Sequence, residues 1–116
     1  MIEIRAIIRP SRLDKLRNAL RELPDFPGMT IFKVQGFTAP SLVSKRTDAE
    51  ELTDFTPKLM LSILVQNAGA DAIQQIIHDQ CRTGFIGDGL VWSVDVDSVI
   101  RIKDGSELNF TPSLSP

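Results

Sequence analysis

The chain has 116 residues, a length that one hydrophobic core commonly organises. Hydrophobic residues make up 42% and charged residues 24%, which excludes a disordered or collagen-like chain. Thirteen Lys and Arg against fifteen Asp and Glu leave a net charge of -2, so no electrostatic drive toward nucleic acid or an anionic membrane surface is expected.

One cysteine cannot close an internal disulfide, and a reducing cytoplasm is the expected location. No stretch approaches the roughly 18 to 20 apolar residues that span a bilayer, so direct membrane insertion is not expected. Met1-Ile2-Glu3-Ile4-Arg5 also lacks the basic and apolar regions of a signal peptide.

Ile2, Ile4, Ala6 and Ile8 alternate with other residues and predict a strand that Pro10 stops. Ser11 can cap a helix from about Arg12 to Leu23, with Leu13, Leu16, Ala19, Leu20 and Leu23 at helical spacing. Met29 to Phe37 reads as a second strand. Thr38 to Thr56 is a long polar segment of the kind that carries function or mobility. Pro57 to Val65 predicts a third strand and Ala70 to Cys81 a second amphipathic helix. The glycine-rich turn Thr83-Gly84-Phe85-Ile86-Gly87-Asp88-Gly89 leads into a fourth strand, Leu90 to Val94. Asp95 to Lys103 is a short end element, Asp104-Gly105 closes it, and a flexible tail is expected over about 106–116.

This βαββαβ order predicts one α+β domain of ferredoxin-like type, an antiparallel sheet with both helices on one face. The other face needs a cover, and self-association is the expected one.

Four groups of residues could carry chemistry. The glycines at 84, 87 and 89 allow positive φ and could aim amides at a phosphate, or simply form a helix cap and a tight turn. Arg101 and Lys103 on one face of an extended segment would suit two phosphate contacts, or guard a solvated edge. Lys58 is a lone charge at a strand start. His78 and Cys81, three apart on a helix, are weak candidates for a metal site, because no further ligand lies nearby in sequence. No base–nucleophile pair is visible, so a binding module is expected rather than an enzyme, with no catalytic residue assigned.

Ile7-Ile8-Arg9-Pro10, Gly28-Met29-Thr30, Gly36-Phe37, Asp54-Phe55-x-Pro57-Lys58, Thr83-Gly84-x-Ile86-Gly87-Asp88-Gly89 and Ile100-Arg101-Ile102-Lys103-x-Gly105 together resemble the PII signal-transduction family. The resemblance runs from about Glu3 to Gly105. It implies a homotrimer, a mobile T-loop over about 38–56 that docks a target protein, and a B-loop over about 83–89. It also implies clefts between subunits that take ATP, ADP or AMP.

Carried over by position, Thr30 and Leu64 would flank the adenine, and Ile7, Gly36 and Phe37 would line the cleft. Gly87, Asp88 and Gly89 would offer amides and a carboxylate, while Arg101 and Lys103 would reach phosphate oxygens from the neighbouring subunit. Lys58 belongs to the same set. Thr38-Ala39-Pro40 stands where the family has a glycine-arginine-glutamine run, which weighs against the family's Mg-ATP/2-oxoglutarate site. Leu90 replaces a phosphate-contacting lysine. The absence of tyrosine excludes uridylylation of a T-loop tyrosine.

The expected function is a PII-like divergent regulator of a partner protein, with membrane transporters among the candidates. The alternatives are a metal-responsive trimer linked to heavy-metal efflux, using His78, Cys81, Asp48 or Glu50, and a slow ATPase with Asp88 or Lys58 transferring protons.

Overall fold

Alternating apolar residues at the start of the chain form β1, Ile2–Ile8, with Ile4, Ala6 and Ile8 buried. The computed structural model describes residues 1–37 and 55–108. A one-turn 3-10 helix, Pro10–Arg12, follows, with proline in the first turn where an amide hydrogen is dispensable. Helix α1 runs Leu13–Arg21 and buries Leu16 and Leu20.

Ser11 does not cap this helix. It lies inside the 3-10 turn, whose Arg12 N–H donates to the Arg9 carbonyl at 3.0 Å, and Arg12 leads directly into α1 with no side-chain cap. At the other end, Leu23 N–H donates to the Leu20 carbonyl at 3.0 Å, so the chain tightens to 3-10 geometry before Pro24 and the α-helix stops short of Leu23.

Strand β2 is Thr30–Gly36, β3 is Thr56–Val65, helix α2 is Asn67–Cys81 and β4 is Leu90–Asp95. α2 begins before Ala70; its first turn, Asn67-Ala68-Gly69-Ala70, is made mostly of small residues and shows no apolar period in the sequence. Gly69 sits in that turn, where an added Cβ would lie 3.0 Å from the Val65 side chain.

The sheet order is β2-β3-β1-β4, with antiparallel neighbours throughout. Its register aligns Ile4 with Ile63, Ala6 with Leu61 and Ile8 with Leu59. These residues and Val65 pack against Leu16, Leu20, Ala70, Ile73, Ile77 and Cys81, which makes one core between the sheet and both helices. The expected ferredoxin-like α+β fold is what forms.

Alternation leaves the second sheet face to Phe32, Met60, Leu64, Ile7, Leu90 and Trp92, around a polar centre. There Arg5 pairs with Glu3 at 2.8 Å, and the Ser62 hydroxyl donates to the Glu3 carboxylate at 2.6 Å. Phe32, Leu64 and Leu90 are exposed on this face.

The end element differs from expectation. Residues 99–108 fold back on themselves. Arg101 N–H donates to the Ser106 carbonyl at 2.8 Å, Leu108 N–H to the Val99 carbonyl at 2.9 Å, and Ile100 bridges Glu107. Residues 102–104 form the turn, and Gly105 takes φ +72°. Arg101 and Lys103 therefore do not share the face of a strand, and residues 106–108 pair rather than join a free tail.

Thr56, read as the end of the polar segment, opens β3. The rest of that segment, including Thr38, Ala39, Pro40, Asp48 and Glu50, lies outside the described residues, as does the tail from 109. Among the described residues no helix is long and apolar enough to cross a membrane.

Candidate functional site

The glycine-rich loop joins α2 to β4 at the end of the sheet where β1 finishes and β3 begins. Asp88 organises it. One carboxylate oxygen accepts from Arg9 Nε at 2.9 Å and from the Thr83 hydroxyl. The other accepts from the Thr83 and Gly84 amides, both at 2.8 Å. The Thr83 hydroxyl, the Arg9 guanidinium and these two amides hold the Asp88 carboxyl far below the usual carboxylate range.

The loop also crosses β1 closely. Gly89 takes φ +102°, and a Cβ there would fall 1.7 Å from the Ile7 carbonyl oxygen. Only glycine fits that crossing.

Two cations meet the middle of the loop. Arg9 Nη2 donates to the Ile86 carbonyl at 2.9 Å, and Lys58 Nζ donates to the Gly87 carbonyl. Lys58 is 8% exposed, and its stem runs past Gly36, where a Cβ would stand 3.1 Å from Lys58 Cγ. Burial, reinforced by the nearby Arg9 charge and partly offset by Asp88, lowers the Lys58 pKa.

Ile7, Gly36, Lys58, Gly87, Asp88 and Gly89 are thus brought together in one chain. Arg9 belongs with them although sequence reasoning assigned it no site role. Its only signal is an arginine between a buried strand end and Pro10. Beside this cluster the rings of Phe37 and Phe55 lie 5.6 Å apart, tilted by 40°, and join the chain on either side of residues 38–54.

A second group gathers at the opposite end of β3. Thr30, Ser62, Leu64, Gly69, Arg101 and Leu108 line much of a groove of about 720 Å³. Arg101 Nη1 donates to Ser106 Oγ at 3.2 Å at its rim. Lys103 is exposed in the turn and does not line this groove. Leu64 lies six residue steps along β3 from Lys58, about 20 Å of extended strand. Within one chain the two groups therefore stand apart.

His78 and Cys81 border a smaller hollow of about 260 Å³ behind the loop. His78 Nδ1 lies 3.2 Å from Asp79 Oδ1 at the surface. Cys81 is buried, and burial pushes its thiol up to about 11, so it stays protonated near neutrality. Among the described residues no three His, Cys, Asp or Glu side chains converge as metal ligands.

Comparison with known proteins identifies the family. The family model described as Nitrogen regulatory protein P-II matches residues 1–106. The chain is 39% identical over 108 residues to Nitrogen regulatory protein P-II 1 of Escherichia coli K12, covering 92% of this chain and 96% of that protein. It is 37% identical over 108 residues to the Nitrogen regulatory protein P-II of Pasteurella multocida, with the same coverage. Against the Nitrogen regulatory protein P-II of Rhizobium meliloti the identity is 34% over 106 residues, covering 90% of this chain and 94% of the relative. With the fold, the pinned glycine loop and matches over nearly its whole length, the chain belongs to the nitrogen regulatory protein P-II family of signalling regulators.

Proposed function

We propose that this chain works as a trimeric, cytoplasmic regulator that binds ATP or ADP in clefts between protomers. It controls a partner protein through the segment between β2 and β3. The observation that carries the reading is the separation of two complementary residue groups on one protomer. Lys58 and the Gly87–Gly89 loop offer a buried cation and glycine backbone suited to phosphates, while Thr30, Leu64 and Arg101 line a groove with room for a base. A nucleotide touching both groups lies where two chains meet, and the exposed apolar sheet face gives the chains a reason to meet.

Asp88 serves this site by shaping the loop, since its four hydrogen bonds are internal. A carboxylate so firmly ionised is a poor proton shuttle, which weighs against the slow ATPase reading. The metal-responsive reading has no converging donor set among the described residues to build on. A membrane transporter is the partner class that the resemblance suggests.

The test is calorimetric titration of the purified chain with ATP, ADP and AMP, each with and without Mg²⁺, 2-oxoglutarate and bicarbonate. Lys58→Met and Arg101→Ala should each abolish nucleotide binding. Mixed trimers of the two variants should regain a fraction of the sites, because some clefts then pair an intact loop with an intact groove. A monomer in solution, or no recovery on mixing, would refute the shared cleft.

A further inference from the structure

We propose that Arg9 is a positioning residue: it sets the glycine-rich loop for an anion without touching the anion itself. The ligand rests on the nucleotide reading above, whereas the geometry is the chain's own.

Arg9 holds the loop at two points that bracket Gly87. Nη2 reaches the Ile86 carbonyl and Nε the Asp88 carboxylate, each at 2.9 Å. Between them the Gly87 carbonyl is taken by Lys58. Three successive loop residues are therefore gripped from the residue that follows β1 and from β3, and a Cβ at Gly87 would press on Arg9 Nη2 at 3.3 Å. The base of the grip is firm, because the Arg9 carbonyl is itself bonded by Arg12 at the 3-10 turn.

Only a planar fork places two donors at fixed separation on a carbonyl and a carboxylate; a lysine ammonium reaches one or the other. The positive charge of Arg9 is matched one-to-one by Asp88, so the uncompensated charge an incoming phosphate meets is that of Lys58. Removing Arg9 should therefore act through order. A seven-residue loop with glycine at 84, 87 and 89 would have to be arranged by the ligand itself, and that entropy is lost from affinity.

The experiment uses the full chain with Arg9→Gln, Arg9→Lys, Asp88→Asn and the Arg9→Gln/Asp88→Asn double variant. ATP and ADP are titrated at two salt concentrations, and amide exchange over 84–89 is followed without nucleotide. Arg9→Gln should weaken binding roughly ten- to hundredfold, the worth of a charge-assisted contact. It should speed exchange across the loop, and the charge-neutral double variant should leave the salt dependence of binding unchanged. The double variant should be no worse than the poorer single variant, and Arg9→Lys should recover part of the affinity.

Additive losses in the double variant, a flatter salt dependence in that charge-neutral double variant, or unchanged exchange in Arg9→Gln would each overturn the role. If the native chain takes neither nucleotide, the nucleotide reading falls. Loop exchange and its coupling between Arg9 and Asp88 then still decide the positioning role.

Discussion

Replacing Gly89 with alanine tests the close crossing of the glycine loop over β1. At φ +102° an L side chain is strained, at a cost of about 1 to 3 kcal/mol by itself. The new Cβ would also stand 1.7 Å from the Ile7 oxygen, where real Cβ contacts essentially never come under 3.0 Å. Ile7 is paired on both sides, to Met60 and Leu90, so the strand cannot retreat and the loop must lift.

Lifting it strains the Arg9 contacts to Asp88 and Ile86, of which the charge-assisted one is worth about 1.5 to 3 kcal/mol. The total is about 3 to 5 kcal/mol, or roughly 12 to 20 °C in Tm for a domain this size. Gly84→Ala is the control. It shares a positive φ of +90° but meets nothing within 4 Å, so it should cost only about 1 to 2 kcal/mol. Thermal and urea unfolding of both variants gives the comparison. Equal losses would refute the claim that contact with β1, rather than backbone conformation, makes glycine obligatory at 89.

Because the folded pKa of Asp88 lies below its unfolded value, its contribution is present above about pH 4 and is lost as pH falls below that. Urea midpoints between pH 2 and 7 should therefore fall on the acid side, and less steeply in Asp88→Asn. Cys81, buried and with its thiol raised to about 11, should react with iodoacetamide at pH 8 far more slowly in the folded chain than in urea. Equal rates would mean that the α2 end is open. Leu16→Ala, at a fully buried site between α1 and the sheet, should cost about 2 to 5 kcal/mol in urea unfolding.

Strands and helices were legible wherever burial imposes a period. Ile4, Ala6 and Ile8, and Leu59, Leu61, Ile63 and Val65, announce their strands because every second residue must face the core. Segments that burial does not pattern were harder to read. The small-residue first turn of α2, the 3-10 entry to α1 and the fold-back of residues 99–108 are fixed by backbone hydrogen bonds, which leave no mark in hydropathy.

The site divides the same way. Glycines at 87 and 89 could be found by residue type, whereas Lys58 joined the set only through the family resemblance. That Asp88 spends its carboxylate inside the loop, and that Arg9 reaches across to it, depends on contacts between residues 79 positions apart. No local pattern carries that information.

The place of β1 in the sheet also bears on how the protein is made. Both its neighbours come later in the chain, β3 ending at Val65 and β4 at Asp95. At ribosomal speeds the thirty residues between those two points take roughly two to six seconds to synthesise. Through that interval the nascent first strand can have at most one partner, its other edge open to any strand it meets. Fragments ending between 66 and 89 should therefore be bound by chaperones or aggregate, and solubility should return abruptly once the last strand is released.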